Sequence, residues 1–269
     1  MNFPNRIICL TEETTEIIYE LGAENLIVGI SGYTIRPPRA RKEKPKVSAF
    51  SSAKINKILE LKPDLVLGFS DVQSDICSTL IKKGINVLCF NQRSINEILN
   101  VINFLGRIID KAEEADNYVK KIKKKLDKTI HLSKKLQSKP KVYFEEWDEP
   151  QITGIKWVSE LIEIAGGVDI FKNLSSESLA INRIIKDPNI IVDANPDIII
   201  GSWCGKKLKK EKILSRQKWN EINAVKNDQI YEIKSPLILQ PGPAALTDGL
   251  DEILKIIFEW ESNKLISNF

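Results

Sequence analysis

Leu61-Lys62-Pro63-Asp64-Leu65-Val66-Leu67-Gly68 returns in the second half of the chain as Ala194-Asn195-Pro196-Asp197-Ile198-Ile199-Ile200-Gly201. Each octapeptide closes a helix, turns at Pro-Asp, runs through an unbroken apolar stretch and reaches a glycine. Proline cannot continue a helix, and aspartate favours the turn that follows. Apolar residues without alternation mark a strand covered on both faces, as in a parallel sheet. The same solution used twice implies two lobes of similar build.

Outward from the first copy, strands are expected at 7–10, 27–30, 65–69 and 85–90. Helices are expected at 15–21, after the cap-like Thr11-Glu12-Glu13-Thr14, at 54–61 and at 75–83, with Gly22 and Gly84 as stops. Around the second copy the pattern resumes. Strands are expected at 141–145, 197–200 and 229–233, and helices at 157–165, 189–194 and 247–260. Between the halves lie a helix over 94–107 and a longer one from 111 to about 136 that holds neither Gly nor Pro. Tyr118, Ile122, Leu126 and Ile130 give that helix one apolar stripe, and about 26 residues reach about 39 Å. Its lysines read as a solvated face, since no aromatic interleaves with them. The fold class is therefore α/β: two Rossmann-like lobes, 1–107 and 139–269, joined by a single backbone helix over 108–138.

The chain has 269 residues, 42% apolar and 28% charged, with a formal net charge of +4. That balance suits a folded chain and gives no footing for a nucleic-acid binder. No apolar stretch approaches the roughly 20 residues of a membrane span, so no membrane insertion is expected. The four cysteines include no CxxC pair, and Cys9 and Cys89 read as buried thiols in strands. No leader-like segment precedes the first strand, so the chain as written is expected in the cytoplasm, with an extracytoplasmic location as the alternative if the start lies upstream.

Taken together, Leu61–Val66, the Gly84-Ile85-Asn86-Val87 turn, Ala165-Gly166-Gly167 before Ile170-Phe171, and Asn195-Pro196-Asp197 resemble the helical-backbone class of ABC-transporter substrate-binding proteins. Gly32-Tyr33-Thr34-Ile35-Arg36-Pro37-Pro38 and Val47-Ser48-Ala49-Phe50 are similar to loops of its cobalamin-binding branch. The resemblance spans Arg6 to Trp260. It implies a monomeric binding protein, without catalytic residues or a catalytic cofactor, that holds a corrinoid such as cobalamin in a cleft between its lobes. Ferric-siderophore or haem binding is the alternative within the class. By the same resemblance Tyr33, Phe50 and Phe69 on the first lobe, and Trp147 and Trp203 on the second, are the rings that would lie against the macrocycle, a use suited to flat side chains of low entropy cost. Family members that dock a permease carry one exposed glutamate per lobe. Here those positions read Asn56 and Asn189, which cannot supply a charge-assisted pair to arginine, so permease docking is not expected.

Further candidates come from the residues after strand ends, where α/β folds bind ligands. Ser70 follows the strand 65–69. Glu145, Glu146, Asp148 and Glu149 crowd the next lobe's edge, and strand alternation would send Glu146 and Asp148 to one side. Cys204 and Lys206 follow the strand 197–200. Arg36, Arg39 and Arg41 offer forks for an anionic ligand group. Gln240, in a Pro-stiffened loop, is a candidate amide partner. An enzyme working at Glu146, Asp148 and Cys204 is the rival reading, though no nucleophile accompanies the carboxylates. His131 stands alone on a lysine-rich helix, so no imidazole metal site is expected.

Overall fold

The computed structural model describes residues 3–266. The chain divides into two compact units, Met1–Gln92 with Asn96–Lys121, and Arg93–Ile95 with Ile122–Phe269. The division falls inside the helix Ala112–Ser133. That helix is shorter than the expected 111–136 because Lys135 and Leu136 bond back to Leu132 and Ser133, a tighter i to i+3 turn.

The first unit is built on a five-stranded parallel sheet in the order β3-β2-β1-β4-β5. Its strands are β1 (Ile7–Cys9), β2 (Ile27–Ser31), β3 (Lys46–Ser48), β4 (Leu65–Phe69) and β5 (Val87–Phe90). Ile8, Leu10, Val47, Ile58, Val66, Ile76 and Leu80 form the core on one face, beneath the helices Ile55–Glu60 and Ser74–Lys82. Cys9 is buried as expected, but Cys89 is exposed, because β5 is an edge strand.

The second unit carries the order β10-β9-β6-β7, with β8 also paired to β6. These are β6 (Lys141–Asp148), β7 (Gln151–Thr153), β8 (Val168–Asp169), β9 (Ile198–Gly201) and β10 (Ile230–Glu232). All pairings are parallel except the β6–β7 hairpin. Strand β6 runs three residues past its expected end, since that hairpin gives its second half a partner. Tyr143, Trp203, Trp219, Ile199 and Ile213 lie in the core of this unit.

The two Pro-Asp turns do one job in both units. Asp64 N donates to the Arg6 carbonyl at 3.0 Å, and the Asp64 carboxylate accepts from Arg6 N at 3.0 Å and Asn5 N at 2.7 Å. Asp197 does the same to Lys141, with its carboxylate 2.9 Å from Lys141 N. Each aspartate thus pins its own strand to the start of the adjacent one and fixes the parallel register. Two residues upstream, Lys62 (φ 46°) and Asn195 (φ 47°) adopt the same left-handed conformation.

Candidate functional site

Each unit gathers candidate residues at the carboxyl edge of its sheet. In the first unit the loop after β2 is held from below: Arg41 donates to the carbonyls of Gly32 and Thr34, and Tyr33 N donates to Ser31 Oγ at 3.2 Å. The loop backbone is fixed, yet the Tyr33 ring stays 54% exposed. Phe50, 42% exposed, stands on a similar anchor. The buried Gln73 amide donates to the carbonyls of Phe50 (3.0 Å) and Leu10 (3.2 Å) and accepts from Phe69 N (3.0 Å). Two large rings held out from well-tied backbone are costly in water unless something covers them.

Phe69 closes β4 almost fully buried, so it offers little of its ring. Ser70 follows with φ 65° and ψ 177°, a region that suits glycine, and its hydroxyl bonds Asp71 at 2.5 Å. Such strain costs about 1–3 kcal/mol and collects at ligand-handling positions. The arginines expected as anion forks have internal partners instead. Arg36 pairs with Glu16 at 2.7 Å and Arg39 with Glu24 at 2.7 Å, while Arg41 is spent on the loop carbonyls.

Two carboxyls near these arginines, Glu12 and Glu13, read in the sequence only as part of a helix cap. The helix Glu12–Glu20 starts three residues early, and Thr11 Oγ1 donates to Glu13 Oε1 at 2.6 Å in place of capping the backbone. Burial, reinforced by the charge of Glu13, pushes the Glu12 carboxyl up to about 8. Burial pushes Glu13 up to about 7. The apolar spacing of this stretch gave no sign that the helix would be covered on nearly every side.

In the second unit the strand alternation predicted for 145–149 is broken by a bulge between Glu145 and Trp147. Glu145 and Asp148 both turn inward, and Glu146 separates from them to meet the buried Arg183 at 2.6 Å. Glu145, fully buried, is the hub of the edge. It accepts from both Arg216 Nη atoms (2.7 and 3.0 Å), from Tyr143 Oη (2.9 Å) and from Trp203 Nε1 (3.0 Å). Trp203 is therefore a core residue, 2% exposed, and not the ring wall that the resemblance implied. Its indole is drawn inward because a buried carboxylate needs donors.

Trp147 is only partly buried against that core, with its N–H on Glu149 O at 2.9 Å. The Lys206 ammonium sits 3.8 Å from the centre of the Trp147 ring and 5.1 Å from that of Trp203. It also bonds Asp148, which Lys212 meets at 3.1 Å. Burial pulls the Asp148 carboxyl up, but the hydrogen bonds from the two lysines outweigh it and hold the group below its ordinary value. Trp147, Asp148, Trp203 and Lys206 are thus one cluster. Cys204 is exposed beside it. Gln240 lies half-buried in the loop before the last helix and accepts from Gly242 N at 2.8 Å. Sequence reading missed Arg183 and Arg216, which lie outside any motif and matter only for the carboxylates they meet. Among the described residues no group of three or more His, Cys, Asp or Glu side chains is arranged to hold a metal ion, and no helix is long and apolar enough to cross a membrane.

Comparison with known proteins is consistent along the whole chain. Residues 7–237 match the family described as periplasmic binding protein. An uncharacterized ABC transporter substrate-binding lipoprotein of Bacillus subtilis (strain 168) is 30% identical over 95% of this chain and 80% of its own length. A vitamin B12-binding protein of Vibrio cholerae serotype O1 is 26% identical over 93% of this chain and 88% of its own. The crystal structure of a possible iron-binding (periplasmic solute-binding) protein from Staphylococcus epidermidis superposes with a TM-score of 0.81 at 26% identity, covering 96% of this chain and all of that one.

Proposed function

Since the chain belongs to the periplasmic binding protein family, being a substrate-binding protein and not an enzyme, we propose that its ligand is a corrinoid of the cobalamin type. The observation that carries this reading is the pair of exposed rings, Tyr33 and Phe50, on tied-down loops at the carboxyl edge of the first sheet. Trp147, on its own sheet edge, is a half-buried aromatic of the second unit with the Lys206 ammonium over its ring. A corrin is a broad, mostly apolar disc fringed with amides. Rings would cover the disc, and the Lys206–Asp148 pair and Gln240 would serve the fringe. Ser70, Cys204 and Phe69 are proposed as lesser contacts, given their burial or side position. Arg36 enters only if the ligand displaces Glu16.

The B12-binding relative supports this reading, and the likeness to the possible iron-binding protein supports a second, a ferric siderophore or haem. The relatives are described as a lipoprotein and a periplasmic solute binder, which supports an extracytoplasmic location over the cytoplasmic one. Asn56 and Asn189 are both exposed. We extend the proposal to docking: the chain does not engage a permease through glutamate–arginine pairs at these positions.

Calorimetric titration with cyanocobalamin tests the ligand. Binding at micromolar or tighter affinity is expected, and haem and a ferric hydroxamate run in parallel decide between the two readings. No heat and no spectral change with cyanocobalamin at tens of micromolar overturns the first. Replacing Tyr33 or Phe50 by alanine removes a ring contact of about 1–3 kcal/mol, a loss of roughly 5- to 150-fold in affinity.

A further inference from the structure

We infer that Cys77 and Cys89 are a redox pair that closes to a disulfide across helix Ser74–Lys82 and strand β5. Gly68 on β4 is the register partner of Cys89, and the helix crosses the same face of the sheet. A Cβ at Gly68 would lie 3.0 Å from Cys77 Sγ and 3.8 Å from Cys89 Sγ. The missing side chain leaves a gap over the strand that both sulfurs border. Both line one pocket of about 570 Å³, together with Ser70, Asp71 and Phe90.

Their exposures differ in the way a two-step exchange needs. Cys89 is open to solvent on the edge strand, and its S–H reaches Ser70 O at 3.6 Å. Cys77 is buried, and burial together with its neighbour thiol raises it to about 11. Cys89 thiolate would attack a small-molecule disulfide, forming a mixed disulfide and releasing one thiol. Cys77, deprotonated as it reacts, would then attack Cys89 Sγ and expel the second thiol. Two protein thiols and one oxidant disulfide become one protein disulfide and two small thiols, with two electrons passed to the oxidant. The inference leans on the proposed extracytoplasmic location only for where such an oxidant is met.

The test uses the intact chain with Cys204→Ser, so that no other exposed thiol reports. After incubation with excess oxidised glutathione, free thiols are blocked and the protein is digested with trypsin. The expected product is peptide 58–82 linked to peptide 84–93, with no glutathione retained. The oxidised protein should unfold at a higher temperature, and dithiothreitol should reverse the shift. With Cys77→Ala, glutathione should remain on Cys89. If the unsubstituted pair gives two blocked thiols, or keeps glutathione on Cys89, the inference is overturned. Cobalamin titration of the reduced protein is a separate measurement, so failure of the ligand reading leaves this result standing.

Discussion

Single side chains decide the register of both sheets. Asp64 and Asp197 each tie two strands through a carboxylate that accepts backbone N–H groups. Replacing either by alanine strips a partner from the backbone at the start of a neighbouring strand, and a loss of about 1–3 kcal/mol is expected in urea unfolding. Asparagine, which keeps one acceptor, should lose less. Ser70 is held in a glycine-like conformation. Ser70→Gly should therefore be neutral or stabilising, and Ser70→Ala should not. Glu13 sets a pH dependence. Its carboxyl is raised from an ordinary 4.5 to about 7 by burial, so the folded state binds its proton more tightly than the unfolded chain does. The stability this gives is complete below about pH 4.5 and is lost as pH rises through about 7, a fall of at most about 3 kcal/mol. Glu12, Glu16, Arg36 and Arg41 share that neighbourhood. Urea midpoints from pH 5 to 8 should fall less steeply in Glu13→Gln, the slope that remains being that of Glu12, whose carboxyl is raised to about 8. An unchanged slope would remove Glu13 from the account.

Elements were legible where their apolar pattern was unbroken. The strands around 7–10, 65–69 and 198–200 lie where the residues put them, because an unbroken apolar run bounded by turn residues marks a strand covered on both faces. The three-residue strands β3 and β7 were not legible, since each exists through the partner beside it. The bulge in β6 was invisible for the same reason, and it rearranged the four carboxylates of 145–149. The hub it creates is the element most sensitive to change. Arg216→Ala leaves Glu145 buried with its charge uncompensated, and about 3–5 kcal/mol of destabilisation is expected. The double variant Glu145→Gln with Arg216→Met should recover part of that, because no unpaired charge remains. If the single and double variants unfold together, the pair does not carry the edge.

At the scale of the molecule, the function follows from family and from the rings left uncovered at the sheet edges. Cyanocobalamin at a hundredfold excess over Kd should stabilise the chain by about 2.7 kcal/mol and raise its thermal midpoint by several degrees. Haem or a ferric hydroxamate producing that shift, with cyanocobalamin silent, would move the ligand to the second reading. Tyr33 and Phe50 were legible as candidates through resemblance and are found exposed. Trp203 was named on the same grounds and is packed away, because a ring's position along the chain carries no record of which buried carboxylate will claim its N–H.

The α/β class, the doubled Pro-Asp strand unit and the binding-protein family are written in the residues, since these rest on local turn chemistry and on apolar runs that read the same in any context. Which arginines are already engaged, which tryptophan is packed away, and that Cys77 and Cys89 border one glycine-made gap emerge only from the folded chain. Those outcomes depend on side chains meeting across strands and helices, and burial sets their energies only once the neighbours are in place.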